Sequence, residues 1–431
     1  MTTGQPDVVA PGLTSARRGG LLREHDFRLL WIGETTSALG TTISHLALPL
    51  VAVVTLQVST FQVSMLTAAS WVPWLVVGLP AGAWVDRLPR RPVMLVCNAA
   101  SFTLLLSVPI AAWMGMLTFG HLLAVALLTG VASVFFSTAY QVYLPSTVTA
   151  EHLMEANAKL QGSESAAQVA GPSLAGLLAQ VAGAVTGLAA DALSFAVSSI
   201  CLLRIRAREE PAATTRRPST LLEEIGDGLR FLRADPYLRV LTVFGALSNL
   251  ALTGYQAILV VFLIREVGVS PAVVGLLLSG MSVGGVIGAA GATAIARRFG
   301  TARGLLLSEI CTVPFGLLIP LTAPGPRLLL VVLGGLAIGA GIVSGNVIKT
   351  GFRQSYCPRH ILGRVTVSMQ FLNYGTIPLG ALLGGVLATT IGLRSTLWIM
   401  LGGLVLSTLV LLVGPLRHGR DFPARAAEAV E

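Results

Sequence analysis

The chain has 431 residues, of which 54% are hydrophobic and only 11% charged, with a mean hydropathy of +0.78. A soluble domain carries about 25% charged residues, so this composition excludes an ordinary water-soluble globule and points to a membrane protein. The formal charge of +9 would suggest nucleic acid in a soluble chain, but here the arginines fall between apolar stretches, where they set orientation, and no nucleic-acid partner is expected.

Residues 1–26 are polar and carry Arg17, Arg18 and Arg23. They lack the early apolar core of a cleaved signal peptide and read as a cytoplasmic tail. Apolar segments of spanning length follow at 28–57, 62–85, 92–114, 119–141, 162–183 and 186–204. After a polar interval at 205–237 come segments at 238–264, 272–296, 303–322, 327–350, 363–390 and 393–415. The runs are unbroken, not alternating, which argues for helices and against a barrel. The expected fold is an all-α membrane protein of twelve spans. It divides into a six-helix bundle at 27–204, a linker at 205–237, a second bundle at 238–416 and a tail at 417–431.

With the amino terminus inside, the far-side loops hold only Arg265, Arg327 and Arg394 of the 29 lysines and arginines. The positive-inside rule then puts both termini in the cytoplasm, in a plasma membrane. Within the linker, Thr220 and Glu223 have capping-box spacing. Leu222, Ile225, Leu229 and Leu232 share one face opposite Glu223, Glu224 and Asp227, which predicts an amphipathic helix at the membrane surface. The scattered Cys97, Cys201, Cys311 and Cys357 fit neither a disulfide framework nor a metal site. No metal or cofactor is expected.

The two halves echo each other. Span one opens FRLLWIG at Phe27 and span seven LRVLTVFG at Leu238; DRLPRR follows span two and ARRFGTAR follows span eight. The loops after spans four and ten each carry a proline followed by a histidine, and each leads into a Pro/Gly-rich helix, at Gly171–Gly176 and Ile377–Gly385. Several echoes in one order point to duplication, an architecture used by transporters that rock about a central site.

The stretch GAWVDRLPRR resembles the signature loop of the major facilitator superfamily, with Gly82, Asp86, Arg87, Arg90 and Arg91 at matching positions and Pro89 where that pattern has glycine. The resemblance implies that Asp86 and Arg90 belong to a cytoplasmic latch between halves; the alternative is that the arginines only orient the loop. Ala158, Ala167, Gly171, Pro172, Ala175 and Gly176 resemble a second signature, associated with exporters, in which small residues and the proline give a close-packed bend at Gly171, Pro172 and Gly176. Generic helix packing serves the same residues equally well. Over nearly the whole chain the details resemble the enterobactin-exporter-like and macrolide-efflux-like drug exporters. The stretches Ser37–Val53, Ala190–Ser199, Glu224–Arg239 and Leu362–Gly385 carry that likeness.

Ionisable residues inside spans are functional candidates by default. Glu34, Ser37, Thr41 and His45 recur at helical spacing on span one, where His45 can titrate near neutral pH. The resembled group often has an acid where this chain has Thr41. Glu34 and His45, with Glu164 on span five and Asp191 on span six, are the proton-coupling candidates, Asp191 being equally readable as a helix-capping or packing residue. Gln168, Asn249, Thr253, Tyr255, Gln256, Asn346 and Asn373 are candidates, with Ser37 and Thr41, for lining a cavity that suits an amphiphilic cargo. Glu309 reads as an interhelical partner. Gly280–Gly284 matches G-x-S-x-G but lies in a span, outside the strand-turn-helix setting that motif needs. No P-loop spacing is present. The expectation is therefore a proton-coupled exporter of small molecules, not an enzyme, working as a monomer among membrane lipids. A uniporter or importer, or a receptor that keeps the fold without transport, are the alternatives.

Overall fold

A computed structural model of the chain describes residues 21–85, 87–149, 151–206, 221–413, 415–417 and 419–423. In the first half, α1 (His25–Leu50) runs on as a π-helical turn to Thr55. It is followed by α2 (Thr60–Val76), α3 (Gly78–Val85), α4 (Arg90–Trp113), α5 (Phe119–Thr147), α6 (Leu153–Ala182) and α7 (Val185–Arg204). The linker forms α8 (Leu221–Ala234), as its sequence period predicts; Thr220 of the expected capping box lies outside the described residues. The second half contains α9 (Pro236–Val261), α10 (Pro271–Phe299), α11 (Thr301–Thr312, extended as a 3-10 helix to Leu321), α12 (Leu329–Tyr356), α13 (Arg359–Ile391) and α14 (Leu393–Val413).

Ten of these segments are long and apolar enough to cross a membrane. Two expected spans fall outside that set for visible reasons. The second is broken at Val77 into α2 and α3, because Pro80 has no N–H to offer the carbonyl of Val76. The fifth, α6, carries Glu155, Lys159 and Glu164 along its length. Both nevertheless pack as full members of the bundle, α2 on α5 and α13, α6 on α1 and α10. An all-helical chain of this layout is consistent with twelve crossings.

The helices overshoot the apolar runs at the end that carries the termini. α6 begins at Leu153 and α12 reaches Tyr356, beyond the expected 162 and 350. Burial explains the extension, since Ala156, Ile348, Phe352 and Tyr356 are all buried at helical spacing. At the linker exit, Asp235 caps α9, its Oδ1 accepting from the backbone N–H of Tyr237 and Leu238 at 2.9 Å each, with Pro236 in the first helical position. Tyr356 donates to the other carboxylate oxygen at 2.6 Å, tying the linker to α12.

The duplication is visible in detail at the opposite end. α1 and α9 each finish in a π-helical turn, Val51–Thr55 and Phe262–Glu266. Each turn is followed by a left-handed residue, Gln57 with φ 52° and Gly268 with φ 75°, and by a serine at the N-cap of the next helix, Ser59 and Ser270.

The apolar core has an informative shape. At the end away from the termini, residues of both halves, such as Leu46, Val63, Ile258, Leu263 and Leu404, belong to one continuous cluster. At the termini end the core divides. One cluster holds Phe27, Met94, Tyr143 and Leu202 of the first half, and another holds Leu238, Phe244, Phe352 and Val365 of the second. The halves are therefore joined at the end away from the termini and parted at the end carrying them.

Candidate functional site

The seam that joins the halves is built from small residues and a few polar ties. Where α6 crosses α10, a Cβ on Gly176 would run into the backbone of Pro271 and Gly275, and a Cβ on Gly275 would run into the carbonyl of Pro172. Ser173 Oγ and Ser279 Oγ meet at 2.7 Å across the same crossing, and the Ser173 N–H donates to Ser279 Oγ at 3.0 Å. Gly171, one turn earlier, faces Thr42 of α1. The residues of the expected exporter-type bend lie inside α6, which runs from Leu153 to Ala182 with Pro172 within it, and they let α6 come close to α1 and α10. The second seam is α2 against α13, where Trp71 and Trp74 pack edge-on or tilted on Tyr374 at 5.8 and 6.2 Å. Arg265 of the second half donates to the carbonyl of Val58 in the first at 2.6 Å.

The polar residues of α1 divide between two faces. Gly33, Ser37, Gly40, Ser44 and Ala47 form the stripe that meets α7: Gly33 lies on Ser198 and Cys201, Gly40 on Asp191 and Ser194, and Ala47 on Gly187. Ser37 is accordingly buried. Glu34 and Thr41 are half-buried and His45 is exposed. Asp191 is only 2% exposed and accepts from Ser194 Oγ at 3.0 Å. It lies well inside α7, whose N-cap is Ala184, so it caps nothing. The carboxylates of Glu34 and Glu164 both come within electrostatic range of the Tyr140 hydroxyl on α5, which brings three of the chain's polar groups to one region of the first half. Glu164 is exposed and accepts from Gln161 and Gln168 at 3.3 and 3.4 Å.

In the second half, Thr253 and Tyr255 are buried, on a stretch of α9 whose Gly254 presses on Gly380 and Met400; they serve helix packing. Gln256 is exposed. Asn249, Asn346 and Asn373 do come together. They line one cavity of about 130 Å³ with Glu309, Lys349 and Arg353, and the Asn249 amide donates to the carbonyl of Asn373 at 3.3 Å. Glu309 is 1% exposed and lies 3.6 Å from Lys349 Nζ, whose ammonium stands 4.8 Å over the Phe244 ring. The sequence reading of Glu309 as an interhelical partner names its role but not its mate. In the sequence Lys349 falls at the end of an apolar run and does not stand out; the signal that marks it is the apolar repeat Ile348, Phe352, Tyr356, which carries α12 past it.

Of the expected latch, Asp86 lies outside the described residues. Gly82 has nothing near its Cβ position, Arg87 is exposed, Arg90 begins α4, and Arg91 donates to the carbonyl of Leu203 in its own half at 2.8 Å.

The family model described as transmembrane secretion effector, a branch of the major facilitator superfamily, matches residues 20–429. The chain belongs to this family. It is a transporter of the drug-exporter group and not an enzyme. The multidrug efflux pump Tap of Mycolicibacterium fortuitum is 28% identical over 414 residues, covering 93% of this chain and 96% of Tap. Macrolide efflux protein A of Streptococcus pyogenes is 21% identical over 388 residues, covering 88% and 92%. Among solved structures, a bacterial homologue of the iron transporter ferroportin in its inward-facing state superposes with a TM-score of 0.72 at 17% identity, over 92% of this chain and 99% of that one. Its outward-facing state gives a TM-score of 0.60 at 18% identity.

Proposed function

We propose that this transporter is a secondary active exporter of amphiphilic small molecules, working as a proton antiporter by alternating access. The observation that carries the reading is the divided core. Two bundles joined at one end and parted at the other enclose a space reachable from one face, and the repeat symmetry supplies a matching state open to the opposite face. Full-length similarity to proteins named for multidrug and macrolide efflux supports outward movement of amphiphilic cargo. Drive comes from the proton gradient, each charge crossing about 100 mV being worth roughly 2.3 kcal/mol.

Glu34, His45, Glu164 and Asp191 are the groups proposed to carry the proton. Thr41, Gln168, Asn249, Gln256, Asn346 and Asn373 are proposed to contact cargo. Gly82, Asp86, Arg87, Arg90 and Arg91 are proposed to latch the inner rim, with lipid phosphates as further partners of the arginines. The protein works as a monomer in the plasma membrane with both termini in the cytoplasm. The test is uptake of ethidium and of a macrolide into inverted vesicles energised by respiration. Accumulation should exceed that of vesicles lacking the protein, collapse when a protonophore is added, and fall at least about tenfold in Glu34→Gln. Uptake that ignores the protonophore removes proton coupling, and no uptake of any amphiphile removes export.

A further inference from the structure

The cavity of the second half is unbalanced in charge. Lys349 and Arg353 of α12 both line it, against the single carboxylate of Glu309 on α11. Arg353 has no ion pair among the described residues, and its Nε is buried without a hydrogen-bond partner. Of the other charged groups near this end, Arg297 and Arg298 of α10, Arg303 of α11 and Arg417 after α14 are exposed and basic, while the carboxylates of Asp235 and Asp421 do not line the cavity and are engaged elsewhere, by the α9 N-cap and Tyr356 and by Thr301. Around the pair stand the side-chain amides of Asn249, Asn346 and Asn373, of which Asn346 is exposed. Glu309 Oε1, Glu309 Oε2 and Asn373 Oδ1 also lack hydrogen-bond partners, so the cavity holds unmet donors and acceptors that are costly to keep dry, and its one surplus positive charge is balanced by an anion.

We propose that this cavity is the subsite for a monoanionic head group of the cargo, a carboxylate or its equivalent, while the apolar body lies in the space between the halves. The inference rests on the export reading and adds a substrate class to it. Lys349 has three donors; Glu309 occupies one direction and the Phe244 ring another, leaving the ammonium free to serve a ligand. Arg353 offers the planar fork that fits a carboxylate. Glu309 is a positioning residue, which fixes Lys349 and holds the cavity at a single surplus charge. A volume of about 130 Å³ admits a head group and excludes a whole drug-sized molecule, whose pockets run to about 300–1,000 Å³.

The experiment uses the full chain in phosphatidylcholine nanodiscs and a matched pair of fluorescent ligands, dansylglycine and its methyl ester, which differ in the one charge. The acid should bind about tenfold more tightly than the ester, equivalent to about 1.4 kcal/mol. Arg353→Gln removes the surplus charge and should erase that preference, whereas the double substitution Lys349→Gln with Glu309→Gln, which deletes the pair and leaves the surplus on Arg353, should keep it. Glu309→Gln alone raises the surplus charge and should tighten the acid several-fold, a gain that mere loss of structural support would not give. Equal affinities in the unaltered protein, a preference that survives Arg353→Gln, or no binding of either ligand overturns the proposal. Loss of acid binding when phosphatidylglycerol is added overturns it too, by assigning the cavity to a lipid head group. Ester efflux, measured in the vesicle assay, keeps the two readings apart. Pumping without a preference sinks only the anion subsite, and a preference without pumping sinks only export.

Discussion

Asp191 illustrates how a buried acid can be structural and interesting at once. Its carboxylate sits where α1 presents Gly40, and a Cβ on Gly40 would collide with both Asp191 and Ser194. Gly40→Val should therefore destabilise the protein by about 1–3 kcal/mol through overpacking. Asp191→Ala, which removes the carboxylate that accepts from Ser194 Oγ, leaves that hydroxyl only the Asp191 carbonyl and opens a void, should cost about as much, while Asp191→Asn should keep most of the stability. Tryptophan-fluorescence melting in detergent reads all three, and an Asp191→Ala form as stable as the parent would refute this account. From sequence, polarity in a span marked Asp191 and Glu34 alike, but which way each side chain turns is set by the neighbours. The α1 stripe of Gly33, Gly40 and Ala47 that meets α7 decides it, drawing Ser37 inward and leaving His45 out. Just outside the spans, burial and then the nearby Asp235 carboxylate push the Cys357 thiol up to about 11, so this cysteine is a packing group and a poor nucleophile.

At the level of elements, the two halves are most alike in a place where their residues differ. The turns after α1 and α9 share a valine and a serine, Val58–Ser59 and Val269–Ser270, yet reproduce the same π-helical ending and the same left-handed residue. Gln57 adopts that conformation at a steric cost that glycine avoids. Gln57→Gly should raise stability by up to about 1 kcal/mol, and Gly268→Ala should lower it by a similar amount; thermal melts showing the reverse order would contradict the assignment. Composition made the number and order of helices legible, since apolar runs report where lipid must be met. It gave their ends poorly. Hydropathy stops at the first polar residue, whereas α6 and α12 continue because Ala156, Phe352 and Tyr356 are buried on protein. Hydropathy therefore does not reveal Lys349, nor with it the charge balance of the second half.

For the whole molecule, the contact between Ser173 and Ser279 offers a direct handle on the cycle. With the native cysteines replaced, Ser173→Cys with Ser279→Cys should form a disulfide under mild oxidation, arrest efflux in the vesicle assay, and release it on reduction. Undiminished efflux in fully crosslinked protein would mean that α6 and α10 never separate. The divided core also says what such separation involves. To open outward, the transporter must split the apolar cluster shared by Leu46, Val63, Ile258 and Leu404 and fuse the two clusters around Phe27 and Phe244 across a new plane of contact. Greasing either rim therefore tilts the seesaw: a larger apolar side chain near the termini biases the resting molecule toward the outside, and a polar one wedged into the far seam does the same.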